Sequence, residues 1–285
     1  VSYKAKVMKK FQYVFLDSGI GGIPYLNYLL RLVPEASALY VADTKHFPYG
    51  EKTENEVIHF TLETIQDILD VVIPEIIILA CNTMTVSALS VLRKAFNLPF
   101  VGTVPAIKPA TQITKNNRIG LISTERTAKD IYIQHLIDEF APKSTIFIRG
   151  EAELVDKIEN GLAYESEKKQ LEAIKPIMSF FEKENCDTLI LGCTHFLHLR
   201  DTFIKMGKQC KMPITIVDSL EGVVGHTLTL SPCKLKRKKA CVYVTGKEKG
   251  KYLFCANKYG FDFVENIEDL NNTPVENVKR VHYQM

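Results

Sequence analysis

Two stretches of this chain repeat one another in kind. Glu75-Ile-Ile-Ile-Leu-Ala-Cys81-Asn-Thr-Met and Asp187-Thr-Leu-Ile-Leu-Gly-Cys193-Thr-His-Phe each run an acidic residue into a short apolar segment that stops on a cysteine. A segment of this length, rich in Ile and Leu and followed by Thr and a helical pattern, reads as a buried parallel strand, a tight turn and a helix start. Each cysteine then stands at the carboxyl end of its strand, the edge where open α/β sheets bind ligands. A helix N-terminus at that point favours the thiolate over the thiol. Either cysteine alone would read as a core filler, but the repeated context points to joint use.

Apolar strands alternate with amphipathic helices along the chain, with strands expected near 13–16, 38–42, 76–80, 100–102, 119–122, 145–148, 189–191, 214–217, 241–244 and 261–264. That rhythm predicts an α/β protein with mainly parallel sheets. The two strand-cysteine-helix units predict two doubly wound domains that face each other across an active-site cleft, with one cysteine from each. The first domain is expected over 1–101 plus 214–285, carrying Asp17 and Cys81, and the second over 102–213, carrying Cys193. At 285 residues, 46% of them hydrophobic, the chain is long enough for two such cores. The paired motifs look like a vestige of internal duplication, although no fixed period links the segments between them.

The net charge of +3, from 36 basic and 33 acidic residues, is too balanced to argue for a nucleic-acid partner. The one basic block, 234–239, follows a Ser231-Pro232 loop signal, lacks an aromatic for base stacking, and reads as a solvated connection. No apolar run approaches a membrane span, and the basic start leads into a short strand ending on Asp17, not into a signal-peptide core. Seven cysteines without a Cys-x-x-Cys spacing predict free thiols in a reducing, cytoplasmic compartment.

Asp17-Ser-Gly-Ile-Gly-Gly22 closes the first strand where glycine-rich loops bind phosphates. The dinucleotide fingerprint fails there, because its third glycine falls at Pro24 and Asp17 offers a carboxylate to a pyrophosphate. The glycines instead suit close approach of backbone amides and the Ser18 hydroxyl to a small carboxylate. Asp43 imitates a ribose-binding acid, a coincidence given the loop mismatch. Cys193-Thr-His195 with His198 could contribute to a metal site, but a zinc needs three or four ligands and no further partner is near in sequence. A nucleophilic Cys-His pair is the other option, and both leave Cys81 unexplained. His46-Phe-Pro-Tyr-Gly50 precedes a Thr53-x-x-Glu56 capping box and suits either an ordinary turn or a loop that covers a bound ligand.

With Asp17-Ser-Gly-Ile-Gly-Gly, Ala42-Asp-Thr with Phe47-Pro-Tyr-Gly, Ala80-Cys-Asn-Thr83 and Gly192-Cys-Thr-His-Phe196 in this order, the sequence resembles the glutamate racemases over essentially its whole length. The resemblance implies a two-domain, cofactor-independent isomerase, with no metal, that supplies D-glutamate for peptidoglycan and belongs to a family in which homodimers are common. It implies that Cys81 and Cys193 transfer protons, that Asp17 and His195 assist, and that Ser18, Tyr49, Gly50, Asn82, Thr83 and Thr194 hold the substrate. Thr124 and Thr127 look like the threonines that bind a substrate carboxylate. Asp156 is the best match to an assisting glutamate of the family. Leu197 and Ser123 depart from the common Pro and Gly of the family.

The implied chemistry is consistent with the residues. Inverting an amino acid without a cofactor requires one group to take the Cα proton from one face while another delivers a proton to the opposite face. Thiol and thiolate suit this because each becomes the other on transfer. A thiol of ordinary pKa, about 8.5, is only about 3% ionised at pH 7, so one cysteine should be activated while the other stays protonated. Racemisation of another amino acid such as aspartate, or a non-catalytic carboxylate-binding regulatory module on the same fold, are the alternatives.

Overall fold

The computed structural model describes residues 8–234, 239–247 and 249–267. Most of the basic block at 234–239 therefore lies outside the described residues. Ten strands are present among them: β1 (Lys9–Asp17), β2 (Ser37–Ala42), β3 (Val72–Leu79), β4 (Phe100–Gly102), β5 (Arg118–Ser123), β6 (Thr145–Gly150), β7 (Thr188–Leu191), β8 (Thr215–Val217), β9 (Lys239–Val244) and β10 (Asp262–Val264). They form a six-stranded sheet in the order β10-β9-β2-β1-β3-β4 and a four-stranded sheet in the order β6-β5-β7-β8. Every pairing is parallel.

The strands read as near-continuous apolar runs because both sheet faces are covered. Along β1, Tyr13 and Phe15 face one buried cluster while Val14 and Leu16 face another. The cluster behind Val14 and Leu16 includes Val57, Ile65, Met84 and Leu92 from two helices that cover that face. The cluster behind Tyr13 and Phe15 continues without a break into the second sheet, through Ile122, Phe181, Leu189 and Phe196. The two lobes thus share one core, and the polar site described below sits in the same seam.

The sheets repeat one plan. β2-β1-β3-β4 and β6-β5-β7-β8 follow the same strand order, and each sheet reverses direction beside its first strand, the switch point where such sheets bind ligands. Cys81 follows β3 and Cys193 follows β7, the corresponding strands of the two halves. One boundary differs from expectation. The sequence reading places the return to the first domain at residue 214, yet Thr215, Ile216 and Val217 pair with Thr188, Leu189 and Ile190 of β7, so β8 belongs to the second sheet. Pro213 resembles a domain break only because it lies just ahead of a short edge strand, a position proline tolerates. No helix among the described residues is long and apolar enough to cross a membrane.

Phe181, fully buried on the Glu167–Lys183 helix, lies against the backbone of β5, where a Cβ at Gly120 would come within 2.5 Å of its ring. Phe181→Ala should lower the unfolding free energy by about 3–5 kcal/mol, read from urea denaturation. A loss below about 1 kcal/mol would mean that the ring does not support the second sheet.

Candidate active site

Both cysteines leave their strands in nearly the same way. The Ala80 amide donates to Leu16 O at 2.8 Å and the Gly192 amide to Ile122 O at 2.7 Å, so each thiol-bearing residue is the first beyond the sheet ladder. Cys81 caps the Asn82–Ala95 helix with φ −137° and ψ 121°. Cys193 caps a 3-10 turn over Thr194–Leu199 with φ −135° and ψ 139°. Asp17, the last residue of β1, connects them. Ser18 Oγ donates to Asp17 Oδ1 at 3.2 Å and stands 3.9 Å from Cys81 Sγ, while Thr194 Oγ1 donates to Asp17 Oδ2 at 3.1 Å. Asp17 is fully buried, and the cysteines are 6% and 5% exposed.

The charges around the two sulfurs differ. Burial, followed by the negative charge of Asp17, pushes the Cys81 thiol above its ordinary range, and the Met84 amide and Ser18 hydroxyl offset only part of this. The helix start at Cys81 therefore does not produce a thiolate, contrary to what a strand-cysteine-helix pattern suggests. Burial lifts Asp17 to about 6, against the opposing pull of His195, the Gly19 amide and Thr194. Burial alone would lower His195, but its hydrogen bonds to Cys193 and Glu159, with their charges, outweigh that and hold the imidazole well above its ordinary value. Its Nδ1 lies 3.8 Å from Cys193 Sγ, so an imidazolium there stabilises negative charge on that sulfur. The sulfurs are near enough for charge on Cys193 to disfavour charge on Cys81.

The carboxylate that supports His195 is Glu159, not Asp156. Asp156 lies on the exposed face of the Ala152–Glu159 helix, where among the described residues its side chain accepts from Asn160 Nδ2 at 3.0 Å. Glu159 is 2% exposed, and its Oε2 accepts from His195 Nε2 at 2.8 Å and from the Ile20 amide at 3.0 Å. Although burial works against its ionisation, the His195 hydrogen bond and charge, with Lys251, hold it well below the usual carboxylate range. Its signal was present in the sequence: Leu154, Val155 and Ile158 mark the buried stripe, and Glu159, four residues after Val155, is the charged member of it.

The glycine loop also serves a different purpose from the one expected of it. Its amides do not face an open site, because Gly19 N donates to Asp17 Oδ1 at 3.0 Å, Ile20 N to Glu159, and Gly22 N to Tyr40 OH at 3.1 Å. The missing side chains make room for the polar groups of the seam. A Cβ at Gly19 would collide with the Glu159 carboxylate, and one at Gly21 would stand 2.5 Å from both His195 Nδ1 and Thr194 Oγ1. His198, the other candidate metal ligand, hydrogen-bonds the Ile20 carbonyl at 2.8 Å, and burial lowers it to about 4.

Three hydroxyls meet between the lobes. Thr83 Oγ1 lies 3.2 Å from Thr124 Oγ1 and 3.3 Å from Thr127 Oγ1, and Thr124 donates to Thr127 at 3.0 Å. Such a cluster can turn its protons toward a carboxylate. Nearby, Asn82 Nδ2 is buried without a hydrogen-bond partner among the described residues, a donor that a ligand could take up. The Tyr49 hydroxyl is engaged elsewhere: it donates to Asp43 Oδ2 at 2.5 Å, beside His46 Nδ1 at 2.8 Å, while Thr245 donates to Asp43 Oδ1 at 2.8 Å. Asp43 thus anchors the 46–51 loop, and Gly50 rests against Thr124, where an added Cβ would meet the threonine at 3.1 Å. What this loop offers a ligand is backbone, not the phenol.

Residues 26–225 match the family model described as Asp/Glu/Hydantoin racemase. A glutamate racemase of Treponema pallidum is 41% identical over 254 residues, covering 88% of this chain and 92% of that protein. Among solved structures, the Escherichia coli glutamate racemase in complex with L-glutamate and the activator UDP-MurNAc-Ala aligns with a TM-score of 0.78 and 30% identity, over 89% of this chain and 97% of that one. The Bacillus anthracis glutamate racemase isoform RacE1 aligns with a TM-score of 0.71 and 25% identity, over 92% and 98%.

Glu159→Gln should bring the His195 titration down toward the ordinary imidazole value near 6.5, followed by NMR of the ring, while Asp156→Asn leaves it in place. The reverse pattern would restore Asp156 as the partner.

Proposed function

Since the chain belongs to the Asp/Glu/hydantoin racemase family, we propose that it interconverts L- and D-glutamate by moving the Cα proton between Cys81 and Cys193. The observation that carries this reading is the Cys81–Ser18–Asp17–Thr194 connection, in which one buried carboxylate links the neighbourhood of Cys81 to the residue that follows Cys193. The product serves peptidoglycan, the role typical of the family. A homodimer and a cytoplasmic location are part of the same reading.

In one direction Cys193, with its charge stabilised by the His195 imidazolium, takes the Cα proton while Cys81 delivers the proton that burial and Asp17 keep on it. The sulfurs end with their protonation exchanged, and the opposite direction runs from that state. Each turnover therefore moves one proton onto a sulfur and one off the other, and the substrate leaves with unchanged composition, inverted configuration and a different hydrogen at Cα. Asp17 faces the substrate ammonium, and Thr83, Thr124, Thr127 and Asn82 hold its carboxylates.

The Cα proton is far less acidic than a thiol. A turnover near 10 per second permits a barrier of only about 16 kcal/mol, so most of the acceleration has to come from orientation and from donors facing the carboxylate on which charge accumulates. The threonine hydroxyls, fixed across the lobe interface, fit that role, and the closed seam excludes water from the carbanion-like state.

L-Glutamate incubated in deuterium oxide should gain deuterium at Cα as D-glutamate appears, with L-aspartate as the parallel substrate. Cys81→Ser and Cys193→Ser should each lower racemisation by about 100-fold or more with the fold intact by circular dichroism. Full activity in either variant would refute the two-thiol scheme, and faster turnover of aspartate would reassign the substrate.

A further inference from the structure

Glu159 is held from both of its oxygens. Oε2 takes the Ile20 amide and His195, and Oε1 takes the Tyr252 hydroxyl at 2.6 Å and Lys251 Nζ at 2.7 Å. Four donors leave this carboxylate little freedom to rotate. The donors to Oε1 come from the Gly250–Tyr259 helix, which connects β9 to β10 of the six-stranded sheet. Glu159 and His195 belong to segments that pack with the four-stranded sheet.

We propose that Tyr252 and Lys251 are positioning residues for the reaction: by fixing Oε1 of Glu159 they set how firmly Oε2 grips His195, and through His195 the reactivity of Cys193 alone. This rests on the two-thiol reading above. Tyr252 is fully buried, and burial together with Glu159 holds its phenol well above the ordinary range, so it remains a donor at working pH. Lys251 is 28% exposed and lines a cavity of about 600 Å³ behind Glu159, beside Gly161, Tyr164 and Phe254. Its removal therefore opens onto space already present.

The remaining groups that face this pair are known. His195 faces Cys193 and Glu159, and it lies within electrostatic reach of Asp17 and His198. Glu159 faces the same histidine and Lys251, with Tyr40, Tyr164 and Cys255 near enough to feel its charge. Tyr252 and Lys251 both stabilise negative charge on Glu159. Without either of them the carboxylate becomes a stronger base toward His195, and the imidazolium becomes a weaker donor to the Cys193 sulfur.

A defect confined to one sulfur has a distinct kinetic signature. The enantiomers have equal free energy, so kcat/KM must fall equally in both directions, and rates alone cannot locate the lesion. Isotope effects can. When the Cys193 step becomes slower, the primary isotope effect rises for the Cα-deuterated enantiomer that gives its proton to Cys193. It falls for the enantiomer that gives its proton to Cys81, because breaking that bond then precedes the slow step.

The test measures kcat/KM with Cα-protonated and Cα-deuterated L- and D-glutamate for the wild type, Tyr252→Phe, Lys251→Met, Lys251→Arg and Tyr164→Phe. Tyr252→Phe and Lys251→Met should lose about 10-fold in kcat/KM, with the isotope effects of the two enantiomers moving in opposite directions. Lys251→Arg should retain the wild-type pattern. Tyr164→Phe serves as the control, since that hydroxyl lies 2.6 Å from Cys255 Sγ at the same helix contact and does not touch Glu159. Unchanged isotope effects in Tyr252→Phe and Lys251→Met, or equal shifts for both enantiomers, would overturn the positioning role. Retained activity in the serine variants of Cys81 or Cys193 would instead overturn the two-thiol reading on which it rests.

Discussion

The Glu159–His195 pair is the interaction on which the arrangement of the site depends. Burying an ionised carboxylate costs several kcal/mol unless its charge and lone pairs are matched, and here the matching groups come from three separate segments: the loop after β1, the turn after β7 and the helix after β9. Their convergence brings the carboxyl ends of β1 and β7 together with the helix after β9. The shared apolar cluster supplies non-directional attraction between the lobes, and the Glu159 contacts select the one arrangement in which His195 reaches Cys193. The glycines at 19 and 21 serve the same end, since any side chain there would occupy the space of the carboxylate or the imidazole.

The scaffold is nearly symmetric while its electrostatics are not. The two halves repeat strand order, the position of the cysteine and even the backbone angles of the cysteine. The neighbours differ: Cys81 has a hydroxyl and a buried carboxylate beside it, and Cys193 has an imidazole held by a second carboxylate. Duplicated geometry places a cysteine at the same point of each half, capping the element that follows β3 and β7. Divergent neighbours give the two buried thiols different electrostatic surroundings: burial and Asp17 favour the protonated form of Cys81, and an imidazole stands beside Cys193.

Much of this was legible in the sequence because strands buried on both faces write themselves as uninterrupted apolar runs; all ten expected strands exist, and Cys81 and Cys193 stand where the Glu75 and Asp187 segments place them. The sequence was less informative wherever helical register or long-range pairing decides. Asp156 and Glu159 are both acidic and three residues apart, and only their faces on the helix tell them apart. The Gly19 and Ile20 amides look available in a glycine-rich loop until Asp17 and Glu159 are seen to occupy them. Nothing near β3 in sequence warns that Asp17 would raise the Cys81 thiol, because that effect comes from burial and from a charge 64 positions away in the chain. Lys251 and Tyr252 carry no local motif at all and acquire meaning only through the Glu159 contact.

The resting asymmetry has a consequence for a reaction whose equilibrium constant is one. Under the two-thiol reading, each turnover leaves the free enzyme with its sulfurs in exchanged protonation states, and the two states are not equal in energy. The form with a Cys81 thiol and charge beside the His195 imidazolium is favoured by burial and by Asp17. The mirrored form places charge on a buried Cys81 next to a carboxylate. Product from one direction therefore departs from the less stable form, and the protein must pass a proton back before the same direction can run again. Asp17, which accepts from the hydroxyls of both Ser18 and Thr194 and is lifted by burial to about 6, is the buried charge that joins the surroundings of the two sulfurs.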